Sequence, residues 1–221
     1  MNRLVIYGNG QVAELALARL RRDTQYELAA CTVDRDLIQS QRFQGLPVIP
    51  FDEIEQHYPP DSHRMLVAVG HTGVNRIRAE RFNLARAKGY RFIRLISPRA
   101  DVWPDVELGE NCMIGDGCIV LPFSRLGDNV HLGTGCTIGH HVTIGDHSSL
   151  AMNVVVAGSV QIESGAFLGA GVTVRDRITV GTGAFLGAGV VLQSDAAPKS
   201  VYAAPEPRLL PIASDKLPGL S

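Results

Sequence analysis

The sequence predicts a small α/β unit followed by an all-β parallel helix of hexapeptide repeats. Two observations carry this prediction: a period of six that runs through the second half of the chain, and its absence from the first half. Sixteen positions spaced six apart, from Val102 to Leu192, all hold Val, Leu or Ile. The next residue is usually Gly, and four residues after the aliphatic stands something small or β-branched, as in Cys112, Cys118, Ser124, Val130 and Cys136. A six-residue period fits neither an α-helix nor a coiled-coil heptad; it is the spacing of a solenoid whose coil has three short strands and three corners. Residues eighteen apart then stack along the axis. The aliphatic fills the interior, the small residue fits beside it, and the glycine is expected to relieve strain at the turn.

The residues before the repeat alternate between strand and helix patterns. Leu4–Tyr7 is a short apolar strand, and Gly8-Asn9-Gly10-Gln11-Val12-Ala13 leads into a helical stretch over Ala13–Arg22. Tyr26–Val33 reads as a second strand closing on Asp34, and Arg64–Val69 as a third, followed by Gly70 and a charged helix over Asn75–Lys88. Arg91–Ile96 reads as a fourth strand. Such alternation implies a small parallel sheet with helices on its faces, a Rossmann-like half domain. The break at Ser97-Pro98 divides the chain into residues 1–97, a β-helix over 98–196 and a tail over 197–221.

Composition excludes several partners. With 21 basic and 22 acidic residues the charge is balanced, so neither nucleic acid nor a membrane surface is indicated. No apolar run is long enough for a membrane span, and MNRLVIYGNG is too short in apolar residues for a signal peptide. The expectation is a cytoplasmic protein. Cys112, Cys118 and Cys136 take the small inward position of the repeat and Cys31 lies in a strand, so all four read as buried apolar residues.

The Gly8-x-Gly10-x-x-Ala13 turn follows a strand and opens a helix, where glycines let the backbone approach a phosphate at the positive end of the helix. Asp34, at the end of the second strand, is placed to accept a hydrogen bond from a ribose or base. Half a Rossmann fold suits a ligand of mononucleotide size. The other reading is a plain βα turn.

Within the repeat, chemistry belongs to residues that break the pattern at corners. The richest break is Ile138-Gly139-His140-His141-Val142-Thr143-Ile144-Gly145-Asp146-His147. Gly158 stands eighteen residues after His140, hence one coil above it. An imidazole under a bare glycine makes a groove in which a thin acyl-thioester can lie, with the Gly158 amide donating to the developing oxyanion. Histidine suits a base near neutral pH, its ordinary pKa being about 6.5. Glu110, Asp128 and Asp146, also stacked eighteen apart, read as turn formers, and His131 and His147 as surface or subunit-interface residues.

Together the GxGxxA-type α/β unit, the uninterrupted hexapeptide domain and the Ile-Gly-His-His-Val-Thr-Ile-Gly-Asp segment resemble, over nearly the whole chain, a bacterial acyltransferase family. It is that of the hexapeptide-repeat sugar acyltransferases related to sialic acid O-acetyltransferase and bacillosamine N-acetyltransferase. The resemblance implies a left-handed β-helix, a homotrimer, and acetyl-CoA as acyl donor in a groove between neighbouring helices, with no metal. The acceptor it implies is a nucleotide-linked sugar of surface polysaccharide or glycan synthesis. His140 matches the family's catalytic histidine, with His141 beside it; Gly158, Gly169, Gly187 and Arg208 are the candidates for holding the acyl-CoA. Gly8, Asn9, Gly10, Asp34 and Gly70 are those for the nucleotide-linked sugar. Three departures stand out. His141 occupies a position where the family commonly has an acid, and Ser149 one where some members have a second histidine. Ala203-Ala204-Pro205-Glu206-Pro207-Arg208 replaces the usual C-terminal Gly-x-Pro-Ala-Lys.

Two other classes use similar parts. A γ-carbonic-anhydrase-type metal hydratase would draw on His131, His140, His141 and His147, and zinc analysis separates it. A non-catalytic nucleotide-sugar-binding protein would bind ligand without releasing thiol from acetyl-CoA.

Overall fold

The structure, a computed structural model, describes residues 3–206 together with 209, 211 and 212. Strand β1 (Arg3–Tyr7) is apolar on both faces and buried from Leu4 onward, so it takes the interior of a sheet covered on both sides. Helix α1 (Gln11–Asp23) covers one face with Ala13, Ala16, Leu17 and Leu20, an i, i+3, i+4, i+7 stripe. Strand β2 (Glu27–Val33) runs parallel to β1. Beyond it lie β3 (Arg42–Phe43) and β4 (Leu46–Pro50), then a short helix α2 (Ile54–His57). Strand β5 (Arg64–Val67) flanks β1 on its other side, and α3 (Arg76–Ala87) follows. The sheet order is β3-β4-β2-β1-β5.

The strands β3 and β4 were not expected from the sequence. They form a hairpin about Gln44-Gly45, both at positive φ (49° and 83°), as a two-residue hairpin turn requires. Pro47 and Pro50 hide β4 because proline cannot donate to a ladder. The expected fourth strand, Arg91–Ile96, divides instead. Phe92 makes one bridge to Met65, whereas Leu95–Ile96 pairs with Met113–Ile114 and opens the solenoid.

Eighteen two-residue strands, from Leu95–Ile96 to Val201–Tyr202, build the left-handed β-helix as three parallel sheets. Every one of the sixteen periodic aliphatics points inward, and only Val102 and Leu108 at the open end are less than fully buried. One face (Met113–Ile114, His131–Leu132, Ser149–Leu150, Phe167–Leu168) carries the N-terminal unit, and we call it the docked face. The next face around the coil exposes Ile119, Val155 and Val191, with Thr137 and Thr173 between them; it is the apolar face. The third exposes Glu107, Arg125, Thr143, Gln161 and Thr179, and is the polar face.

The repeat glycines act otherwise than expected. They do not relieve backbone strain: a Cβ on Gly139 would stand 2.8 Å from the Gly158 nitrogen, and one on Gly115 2.7 Å from the Thr134 nitrogen. They are small because the next coil lies against them. Strain falls two residues later: from Asn111 to Gly189 every sixth residue sits at φ between 56° and 75°. At the docked/apolar and polar/docked corners these are Gly or Asn, apart from His147. At the apolar/polar corner they are Phe123, His141, Ser159 and Arg177.

The two units meet around Arg78, which is fully buried although α3 reads as a charged surface helix. It shares an inward stripe with Phe82 and Ala85. Its guanidinium donates to the Asn129 carbonyl, to Asn129 Oδ1 (2.9 Å), to the His147 carbonyl (2.9 Å), and to Ser149 Oγ (2.6 Å). Asn75 Oδ1 (3.2 Å) and the Ser148 carbonyl (3.4 Å) complete the cradle. All these acceptors are neutral. Asn111 adds a paired contact, Oδ1 to the Val67 N–H and Nδ2 to the Val67 carbonyl.

Candidate active site

The N-terminal turn is shaped by close packing. Gly8, at φ 137°, lies so near the β5 end that a Cβ would stand 2.6 Å from the Ala68 carbonyl oxygen and 3.2 Å from Ala13 Cβ. Gly10 differs: it caps α1 in extended geometry, and a Cβ there meets nothing within 4 Å. The space above Gly10 is a cavity of about 380 Å³ lined by all five predicted residues, Gly8, Asn9, Gly10, Asp34 and Gly70. Asn9 braces the rim through the Leu37 carbonyl (2.9 Å).

Asp34 is not a bare acceptor. Tyr7 Oη donates to one carboxylate oxygen at 2.6 Å and Arg81 pairs with the other at 2.6 Å. Burial, with Asp34 alongside, pushes the Tyr7 phenol well above its usual range and keeps it a donor. Sequence reading missed both partners. Tyr7 looked like a strand residue, and Arg81 one more charge on a polar helix, and no signal in the chain set either apart.

A second cavity, of about 300 Å³, lies between the units and shares Val12, Val69, Gly70 and His71 with the first. It opens at the docked/apolar corner along Gly115, Gly133, Thr134 and Ala151. His71 stacks on Phe167 (4.5 Å between ring centroids), and Phe167 on Phe185 (4.9 Å). His131 lines this cavity rather than free surface. Burial, reinforced by Arg78 and Arg19, pushes its pKa well below the ordinary value and keeps the imidazole neutral, and its Nε2 has no hydrogen-bond partner among the described residues. His147 is half-buried against the N-terminal unit: it shares a hydrogen bond with Asn129 Nδ2 (3.0 Å) and meets Phe82 edge-on. Ser149, below Phe167 and above His131, is spent on Asn75 and Arg78.

His140 and His141 stand at the apolar/polar corner, exposed. A Cβ built on Gly158 would meet His140 Cε1 and Nε2 at 2.8 Å, so the ring lies directly beneath that glycine and only glycine leaves it room. The Gly158 N–H has no hydrogen-bond partner among the described residues. His140 Nδ1 lies 3.0 Å from His141 Nδ1, the rings nearly perpendicular, and His141 packs on Phe123 (4.8 Å).

The remaining predicted residues fall elsewhere. Gly169 and Gly187 stack on each other at the docked/apolar corner, and a Cβ on Gly169 would approach the Ala188 nitrogen to 2.6 Å. Coil stacking is enough to require glycine there. Arg208 lies outside the described residues. Asp128 and Asp146 accept from backbone N–H groups one coil below (2.7 and 2.8 Å), as turn formers do. The four histidines named for a metal hydratase are spread over different faces and corners, and no three His, Cys, Asp or Glu side chains cluster as metal ligands among the described residues.

The two candidate sites therefore lie apart within one chain. The apolar/polar corner with His140 is the corner opposite the docked face, and no residue of it lines either cavity.

The family models for the bacterial transferase hexapeptide (six repeats) and the hexapeptide repeat of succinyl-transferase match residues 123–158 and 159–194. No curated protein matches the chain by sequence. Among solved structures the chain is similar to PerB from Caulobacter crescentus in complex with CoA and GDP-perosamine, with a TM-score of 0.81 and 29% identity over 91% of this chain and 93% of that one. It is similar also to the acetyltransferase domain of PglB from Neisseria gonorrhoeae in complex with acetyl coenzyme A (TM-score 0.79, 26% identity, 90% and 95% covered). WeeI from Acinetobacter baumannii shares the fold (TM-score 0.72, 20% identity, 90% and 94% covered). With repeat pattern, unit order and two near-full-length likenesses in agreement, the chain is a hexapeptide-repeat protein built like the bacterial sugar acetyltransferases to which it is similar.

Proposed function

We propose that the chain transfers the acetyl group of acetyl-CoA to an amino group, or a hydroxyl, of a nucleotide-linked sugar in cytoplasmic synthesis of a bacterial surface glycan, with His140 as general base. The observation that carries this reading is the imidazole beneath Gly158, whose N–H is free. The sugar heteroatom attacks the thioester carbonyl and its proton passes to His140 Nε2. The Gly158 N–H stabilises the oxyanion, and collapse expels CoA as thiolate, which recovers the proton from His140. PerB, similar over most of its length, was solved with CoA and GDP-perosamine, which supports both substrate classes. The four buried, unpaired cysteines suit a reducing compartment.

The half-sites are joined by a homotrimer. Ile119, Val155 and Val191 form an exposed β-branched column that nothing among the described residues covers. If three apolar faces surround a threefold axis, the apolar/polar corner of each chain meets the docked/apolar corner of the next. That arrangement brings His140 and Gly158 of one subunit to the cavity mouth of its neighbour. It also sets Gly158 across from the other chain's Gly169 and Gly187, forming one groove for the pantetheine.

Two measurements test this. Gly10→Val fills open space, so it should fold normally, raise the KM for the sugar nucleotide about tenfold or more and leave that for acetyl-CoA nearly unchanged. Equal weakening of both substrates would make the turn structural. Mixing Gly10→Val chains with His140→Ala chains, each poorly active alone, should restore activity at about one quarter of the sites, those pairing an intact turn with an intact histidine. Trimers that mix without recovery would place both half-sites within one chain.

A further inference from the structure

We infer that His141 is a positioning residue that fixes the tautomer of His140 through its own neutral ring. The inference rests on His140 being the base, and three observations carry it. The two Nδ1 atoms stand 3.0 Å apart, so one must be protonated and the other bare. The ring edge that reaches beneath Gly158 is Cε1–Nε2, which leaves Nδ1 as the atom turned to His141. His141 is held at φ 58° and packed on Phe123, itself at φ 63°.

The third observation has weight because of where it falls. Elsewhere on the solenoid the left-handed position goes to Gly or Asn, with His147 and Lys199 as the exceptions. At this corner all four coils, Phe123, His141, Ser159 and Arg177, carry larger or less tolerant side chains there. Residues other than Gly and Asn hold the left-handed position in four successive coils of the edge that bears the candidate base, more than on either other edge, and such an outlier points to a candidate for a positioned side chain.

The proton inventory follows. A base needs a bare Nε2, so the resting proton of His140 is on Nδ1 and is donated to His141 Nδ1. The proton of His141 is then on its own Nε2. When His140 accepts the substrate proton at Nε2 it becomes imidazolium, and its Nδ1–H still points at a bare nitrogen. The pair holds the right tautomer before the reaction and supports the cation during it, with no net change in His141.

The test joins a spectroscopic readout to kinetics in the intact protein. In 15N-histidine-labelled enzyme, His140 should be the Nδ1–H tautomer, and His141→Leu should shift it toward Nε2–H. His141→Leu should lower kcat about tenfold to a hundredfold, less than loss of the base itself, with the KM for acetyl-CoA little changed. His141→Glu, which restores an acceptor, should return both the tautomer and most of kcat. An Nε2–H tautomer in the wild type would overturn the inference, as would full kcat in His141→Leu beside an inactive His140→Ala. If His140→Ala stays active, the assignment of the base fails instead, and the tautomer measurement tells the two failures apart.

Discussion

His140→Ala is expected to lose turnover by about two to four orders of magnitude, the usual contribution of a positioned general base. It should keep the wild-type assembly state and still bind acetyl-CoA, because the ring is exposed and packs against a bare glycine rather than into the core. The loss should be larger for a hydroxyl acceptor than for an amine, since a hydroxyl depends more on proton removal. Steady-state rates by thiol release, with light scattering for assembly, measure both. Near-normal kcat in His140→Ala with an inactive His147→Ala would move the base to the polar/docked corner, where His147 already serves the contact between the units.

Arg78→Leu should be the most destabilising single change at the junction. It removes the guanidinium from a buried cradle and leaves the Asn129 and His147 carbonyls with no other donor among the described residues, at a cost of about 3 to 5 kcal/mol. Thermal melting should fall on the order of 10 °C for a chain of this size. Hydrogen exchange should quicken in α3 and β5 first and least in the middle coils. Arg78→Lys should recover little, because an ammonium lacks the planar fork that reaches Asn129, His147 and Ser149 together. A variant that melts with the wild type would mean that the apolar contacts around Phe82 hold the units without the arginine.

What the sequence disclosed depended on whether a residue answers to its own repeat or to the other unit. The periodic aliphatics answer to the repeat, so their interior position was legible, and so was the stacking of His140 under Gly158, which needed only the number eighteen. The glycine after each aliphatic was legible as a requirement but was given the wrong cause: steric closeness of the next coil sets it, not φ. Arg78, His131 and His147 answer to docking. From the chain alone Arg78 is one charge among several on a polar helix, and His131 one outward residue of a strand. Only contact between the units turns them inward. The β3–β4 hairpin was lost because two prolines obscure a strand whose partner, β2, lies across a loop.

The cradle of Arg78 has a consequence for distance. Its acceptors lie between Asn129 and Ser149, in the turn of the solenoid that also carries His140, apart from Asn75 of its own unit. A solenoid offers nearly identical coils about 4.8 Å apart, so a unit docked on its side by apolar contacts alone has several similar berths. The guanidinium accepts only one. It therefore works as a gauge pin, setting the height of the cavity proposed for the sugar nucleotide against the rung that bears the proposed base. A shift of one rung exceeds the reach of a hydrogen bond, so the enzyme's geometry is fixed in whole steps along its axis, and a single buried residue selects the step.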